Sequence, residues 1–348
     1  MLRLGGPGLE IRNLAGRRDP FILRVTDHAD RPPPLRRAQA LLAKGEALPA
    51  GFNLYMAVRS KAANLDQLPA SASAIVLPDE YDYLSHGDIV RIQPTRKAIR
   101  VLYRRSSPHN TFLTTERCNH YCLTCSQPPK EVDDSWIVGE ILDAIPLIDP
   151  ATVEIGLSGG EPTLLGDDLF RILRTSASYL PRTAIHILSN GRMFSDVEFA
   201  RQYAEIRHPD IMVGIPIYSD LSSVHDYVVQ ADGAFDEPIR GILNLKRFRQ
   251  RVEIRVVIHK QTYQRLPQLA EFLARNLTFV DQVALMGLEM TGFTKPNLSD
   301  LWIDPVDCQR ELYLAATLLA DYRMNVSIYS HQLCVLDRRL APGEEVDQ

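Results

Sequence analysis

From Asn110 onward, apolar runs of strand length alternate with amphipathic stretches of helical period. The runs at 111–115, 152–158, 184–189, 210–218, 252–259 and 282–289, with a seventh at 325–329, predict strands. The stretches at 134–146, 167–179, 195–206, 235–249, 264–275 and 305–322 predict the intervening helices. Strand-then-helix repetition with nearly continuous apolar strands implies a parallel sheet buried on both faces. Ligands of such sheets bind beyond the carboxyl ends of the strands, and polar segments stand there: ERCNHYCLTC, GGEP, NGR, SD, KQT and MTG follow the first six runs in order.

The first hundred residues read differently. FILRVTDHADRPPP predicts a strand stopped by prolines, PLRRAQALLAKG a helix ended by Gly45, SAIVLPDEY another strand, and Asp88–Gln93 with Ala98–Tyr103 two β-runs joined by a polar turn. The expected organisation is a smaller β-rich module at 1–105, an α/β core at 106–330 and a tail at 331–348.

Composition narrows the class. Of 348 residues 45% are hydrophobic and 24% charged, the balance of a folded globular chain. The formal charge of −4 gives no general attraction for nucleic acid, and LKRFRQR (245–251) and Arg104-Arg105 are expected to be solvated faces. No run has the length of a membrane span and the start lacks an apolar signal region, so a cytoplasmic protein is expected. Five cysteines are too few for a secreted disulfide framework.

Three of them, Cys118, Cys122 and Cys125, crowd into one loop as C-x3-C-x2-C. A structural zinc site takes four ligands, and His120 would have to be the fourth. A four-iron cluster on three thiolates leaves one iron open, and an open metal position holds a substrate or cofactor. About thirty-five residues further on, GGEP (159–162) follows the second strand.

The cysteine loop after the first strand, GGEP after the second and the further strand–helix units resemble the radical S-adenosylmethionine (SAM) enzymes over roughly 110–290. That resemblance implies a partial (β/α)6 TIM-like barrel in which Cys118, Cys122 and Cys125 bind one [4Fe-4S] cluster whose fourth iron holds SAM. It also implies reductive cleavage to a 5′-deoxyadenosyl radical by way of an external electron donor. For SAM contacts it points to Gly159, Gly160, Glu161 and Pro162, to Ser189 and Asn190 within LSNGR (188–192), to Ser219 beside Asp220, and to Met286 within 286–289. Glu161 reads equally as a helix N-cap. Many relatives have an aromatic residue before the third cysteine, where this chain has Thr124.

VLYRRSSPHNTFLTTERCNHYCLTCSQPPK, with HGDIVRIQP before it and GIPIYSDLSSVHDYVV after it, is similar to the His-Xaa-Ser system radical SAM maturases of the kind abbreviated HxsC. The implied substrate is a peptide or small protein with His-Xaa-Ser repeats, and the implied partner a second radical SAM protein. His225 and Asp226 are candidates to face that substrate from the loop after the fourth strand. His109 and His120 flank the cysteines and could bond to sulfur, although solvent exposure is their expected fate. Relatives often carry more cysteines near the end, whereas Cys308 and Cys334 stand alone and cannot hold a second cluster, which suggests a shortened form. From another class, the chain could be a non-catalytic partner or escort that keeps the cluster and presents the substrate to a paired maturase; a zinc-binding interaction module is the third reading.

Overall fold

The computed structural model describes residues 3–44 and 48–340. The chain forms two compact units. One comprises Met1–Phe112, Val138–Ile155 and Ser178–Thr183; the other comprises Leu113–Ile137, Gly156–Ala177 and Ala184–Gln348.

The first unit is built on eight strands: β1 (Gly5–Pro7), β2 (Glu10–Asn13), β3 (Phe21–Thr26), β4 (Gln39–Leu42), β5 (Leu54–Val58), β6 (Ala74–Leu77), β7 (Ile89–Gln93) and β8 (Ala98–Tyr103). They lie in the order β1-β8-β7-β3-β4-β5-β6-β2. β7 and β8 form the expected antiparallel hairpin, while β3 to β6 run parallel to one another. The parallel centre explains the apolar run LYMAV of β5. Leu54, Met56 and Val58 join one core with Leu23, Ile75 and Ile92, and Tyr55 and Ala57 join the core of the opposite face with Leu41 and Val76.

The helix expected from PLRRAQALLAKG is confined to Pro33–Arg36, and its second half is β4. Ala40, Leu41 and Leu42 pair with Leu54, Tyr55 and Met56 on one side, while Gln39, Ala40 and Leu41 pair with Arg24, Val25 and Thr26 on the other. Two ladders and burial on both faces outweigh the helix preference of Ala and Leu, which is worth only tenths of a kcal/mol per residue. Gly45, expected to end that helix, lies outside the described residues.

The second sheet has seven strands: β9 (His109–Leu113), β10 (Glu154–Ser158), β11 (Ala184–Leu188), β12 (Ile211–Pro216), β13 (Arg251–Val257), β14 (Gln282–Met286) and β15 (Val326–Tyr329). Their spatial order is their sequence order, and β11 to β15 are parallel. Helices Trp136–Ala144, Asp167–Tyr179, Val197–Ala204, Asp236–Arg247 and Gln309–Asp321 fall within the expected stretches, and Leu266–Asn276 runs one residue past the end of its expected stretch, 264–275. The result is the expected α/β fold, a curled partial barrel, together with a β-rich unit. A further helix, Ser222–Val229, occupies what reads in the sequence as a loop. No helix among the described residues is long and apolar enough to cross a membrane.

The two faces of this sheet differ. Ile185, Ile187, Val213, Ile215, Val252, Ile254, Val256, Val283 and Leu285 are at most 1% exposed and alternate along their strands. Each such side chain contributes about 1.5–3 kcal/mol by leaving water. The intervening positions carry Ser158, His186, Leu188, Gly214, Pro216, Glu253, Arg255, Val257 and Met286, and those near the strand ends border a cavity.

Candidate active site

The cysteine loop leaves the end of β9 and is tied down on three sides. The turn after β10 holds its start: Gly160 N–H donates to the Thr115 carbonyl (2.7 Å) and Glu161 N–H to that of Arg117 (2.8 Å). A Cβ on Gly160 would stand 2.0 Å from the Arg117 oxygen and one on Gly159 2.6 Å from the Thr115 oxygen. The close approach that demands glycine at both positions is thus to the cysteine loop itself. The end of helix Ser222–Val229 takes the middle, with Tyr121 N–H donating to the Val229 carbonyl and Leu123 N–H to that of Val228. The segment after β14 takes the far end: Phe293 N–H donates to the Cys125 carbonyl (2.8 Å) and Asn297 Nδ2 to that of Leu123 (3.2 Å). Gly292 has φ +50°, and a Cβ there would lie 2.1 Å from the Cys125 oxygen.

Held in this way, Cys118, Cys122 and Cys125 border one cavity of about 360 Å³ at the carboxyl ends of the strands. Gly159, Gly160, Glu161, Ser189, Asn190 and Met286 border it too, so the structure brings these expected residues together with the three thiols. Pro162 and Ser219 are not on its wall. Pro162 is buried at the start of the 3-10 turn Pro162–Leu165. The Ser219 hydroxyl caps its own chain, accepting from Leu221 N–H (3.2 Å) and donating to Asp220, which is paired with Arg265.

Glu161 is buried and its carboxylate collects four donors: Thr163 N–H and Oγ1 and Ser189 Oγ on one oxygen, Asn190 N–H on the other (2.6–3.0 Å). It caps the turn after β10 and also fastens the loop after β11. Burial raises its pKa, and these donors oppose the rise. Asn190 Nδ2 in turn donates to Asn119 Oδ1 (2.6 Å), which links that loop back to the cysteines.

Several wall residues were not singled out from the sequence for this role. The Tyr218 ring borders the cavity, and its hydroxyl lies 3.3 Å from Thr124 Oγ1. Among the described residues Arg255 is the one Arg or Lys on the wall. Its Nη1 donates to Glu253 (2.9 Å), which also meets His186 Nε2 at 3.0 Å. Burial opposes the charge on Glu253, but His186 and Arg255 outweigh it and lower its pKa. Gly214 lies among the three: a Cβ there would be 2.9 Å from Arg255 Cδ, 3.0 Å from His186 Nε2 and 3.1 Å from Glu253 Oε2.

The histidines depart from expectation. His109 is exposed, but His120 is 3% exposed and borders the cavity. Burial, followed by the charge of Arg192, lowers its pKa to about 3. His225 and Asp226 do not face the cavity. They belong to helix Ser222–Val229, where buried His225 accepts from Tyr218 N–H (3.1 Å) and Asp226 from Gly233 N–H (2.8 Å).

Burial pushes the Cys118 thiol up to about 11 and raises Cys122 and Cys125 as well, so a cationic centre is needed to make them thiolates at neutral pH. One tetrahedral metal ion would draw its sulfur ligands to within roughly 4 Å of one another. Among the described residues only Asp27, His28 and His86 have ligand atoms all within 4.8 Å, so the three sulfurs are spread more widely. Three thiols around a common cavity are a donor set that fits a thiolate-held iron–sulfur cluster.

Residues 112–273 match the radical SAM superfamily model. The Fe-coproporphyrin III synthase of Methanosarcina barkeri is 26% identical over 165 residues, which are 46% of this chain and 39% of that protein. SuiB of Streptococcus suis bound to S-adenosylmethionine shares the fold with a TM-score of 0.51 at 16% identity, covering 68% of this chain and 52% of SuiB. SuiB bound to its precursor peptide SuiA gives 0.50 at 16% identity, covering 65% and 49%. The chain thus spans about two fifths of the length of the curated relative and about half that of SuiB. The radical SAM family model thus covers 112–273, and SuiB shares the fold.

Proposed function

We propose that this chain is a radical SAM enzyme acting on a peptide or small protein, with a His-Xaa-Ser repeat substrate as the specific reading. The observation that carries the chemistry is the shared cavity: three cysteines on one side, and the turn after β10, the loop after β11 and Arg255 on the others. The bound cluster and SAM would supply reductive cleavage to a 5′-deoxyadenosyl radical. Cys118, Cys122 and Cys125 hold the iron and leave one position open. The backbone of Gly159–Glu161 and the side chain of Asn190 offer polar groups to the amino-acid end of SAM, while Met286 and the Tyr218 ring give apolar wall to its purine. Arg255, oriented by Glu253, would offer its guanidinium to an anionic group of a ligand. Ser219 supports the loop after β12 through Leu221 and Asp220.

The peptide reading rests on the sequence resemblance, and SuiB with its precursor peptide is a precedent on the same fold. The experiment is anaerobic reconstitution with iron and sulfide, reduction and addition of SAM. Wild type and Cys122→Ala are then assayed for 5′-deoxyadenosine, with and without a His-Xaa-Ser peptide whose mass is followed. Product from wild type alone, with a mass change in the peptide, is expected. Product with an unchanged peptide would remove the substrate assignment. An assembled cluster with no product would leave the escort role, and a colourless zinc protein would end the radical reading.

A further inference from the structure

A second group of ligating side chains gathers at one end of the β-rich unit. β3 and β7 are antiparallel neighbours, so the chain leaving β3 meets the chain entering β7. Gly87 N–H donates to the Val25 carbonyl (2.8 Å) and Val25 N–H to that of Asp88 (2.7 Å). Asp27 and His28, just past β3, thereby stand beside His86, shortly before β7, with one ligand atom of each within 4.8 Å of the others. The two imidazoles meet edge to face, their ring centres 4.5 Å apart.

Buried Thr26 holds both histidines. Its hydroxyl accepts from His28 N–H (3.1 Å) and lies 3.0 Å from His86 Nδ1, which turns His86 Nε2 to the opposite side. A metal-binding imidazole is oriented in this way, through the nitrogen that does not touch the metal. A cation already sits against Nε2: the guanidinium of Arg31, with Nη2 at 2.7 Å. Asp27 Oδ1 is 3.7 Å from His28 Nε2, and Lys44 Nζ stands 3.5 Å from Asp27 Oδ2. Arg31 and Lys44, with Arg24 and Arg105 in reach of His86, oppose any ion held by charge alone. Calcium and magnesium, which bind through several oxygens, are poorly served by such a group. Zinc and its neighbours, which bond directly to imidazole nitrogen, suit it.

We propose that Asp27, His28 and His86 form a binding site for a divalent transition metal of the zinc type, with Arg31 as the cation that the metal displaces. Two imidazoles and one carboxylate leave a coordination position for water or a further ligand. The ion would tie the end of β3 to the start of β7. The site needs neither an iron–sulfur cluster nor SAM.

The test is equilibrium dialysis of the untagged full chain against zinc, with bound metal counted by mass spectrometry. It uses cluster-loaded protein and, separately, a Cys118→Ala/Cys122→Ala/Cys125→Ala chain, so that the loop thiols do not supply the signal. One zinc per chain is expected in both, with imidazole scattering in its X-ray absorption spectrum. His28→Ala and His86→Ala should each weaken binding more than about tenfold, and Thr26→Val about tenfold. Arg31→Ala should tighten it, a change that general damage to the loops would not produce. Zinc should also raise the unfolding midpoint of wild type and leave that of His86→Ala where it is. No bound zinc, equal affinity in wild type and the two histidine variants, or weaker binding in Arg31→Ala would overturn the proposal.

Discussion

The outer face of the parallel sheet is uniform and the inner face is not. Outward positions of β11 to β14 are Ile, Val and Leu, closed to water. Inward positions of the same strands carry histidine, glycine, proline, glutamate, arginine and methionine, and some reach the cavity. Adjacent residues of one strand therefore answer to different demands. The outer set is interchangeable apolar volume, whereas each inner residue has a particular neighbour. Substitution on the outer face should register as stability, and substitution on the inner face and its loops as ligand chemistry.

The largest expected effect is Cys122→Ala. With two thiolates left, iron content should collapse and 5′-deoxyadenosine formation fall more than about a thousandfold, while the apo-protein keeps its unfolding midpoint because one small side chain is lost beside a cavity. Iron analysis and chromatography measure the first, urea titration the second. An equal loss of stability in the apo-protein would erase the distinction between scaffold and site.

Ile254→Ala tests the other face. Ile254 is 0% exposed and paired in register with Ile215 on β12 and Val283 on β14. Removal of its side chain should cost about 2–5 kcal/mol in urea unfolding. SAM affinity of the protein that remains folded should stay within a factor of two to three.

A pH prediction tests the elements behind the cavity. His259 is 0% exposed, neither ring nitrogen has a partner among the described residues, and burial lowers its pKa to about 4. The unfolded chain binds this proton near pH 6.5 and the folded chain does not, so stability is complete above pH 6.5 and is lost as pH falls from 6.5 toward 4. The single-site loss approaches about 3 kcal/mol at the lower end. His259→Phe should flatten that part of the curve of unfolding free energy against pH; an unchanged slope would mean that His259 is not the source.

How far this division could be read from the sequence follows from the same alternation. The outer face was legible because Ile, Val and Leu recur in β11 to β14, and all seven strand segments were located from them. The cysteines and GGEP were legible because they sit outside the strands. Arg255 and Glu253 were missed although VEIRVVIH shows them: two charges two residues apart inside a buried strand must share a face that is not apolar core. Tyr218 was hidden because an aromatic at a strand end reads as core, and His120 because the helix Ser222–Val229, which holds its loop through Tyr121 and Leu123, is distant in sequence. β4 was read as helix because its preference for the sheet comes entirely from its two neighbours.

Gly214→Ala separates the faces most finely, since it adds one methyl group to the inner face of β12. The backbone conformation is ordinary strand, so no cost arises from φ. The methyl meets the Arg255 chain, the His186 ring and the Glu253 carboxylate at 2.9–3.1 Å, and at least one must shift. Arg255 has the freest path because it borders the open cavity, whereas Glu253 is buried. The destabilisation should be about 1–3 kcal/mol, less than for Ile254→Ala. SAM or substrate affinity should nevertheless fall by about tenfold as the guanidinium moves, measured by equilibrium binding to the reconstituted protein. Arg255→Lys should lower affinity in the same direction, because a lysine cannot reproduce the planar fork of the guanidinium. Gly214→Ala with unchanged affinities for both would show that the Glu253–Arg255–His186 group is internal structure, and that the functional face of β12 begins only at Pro216.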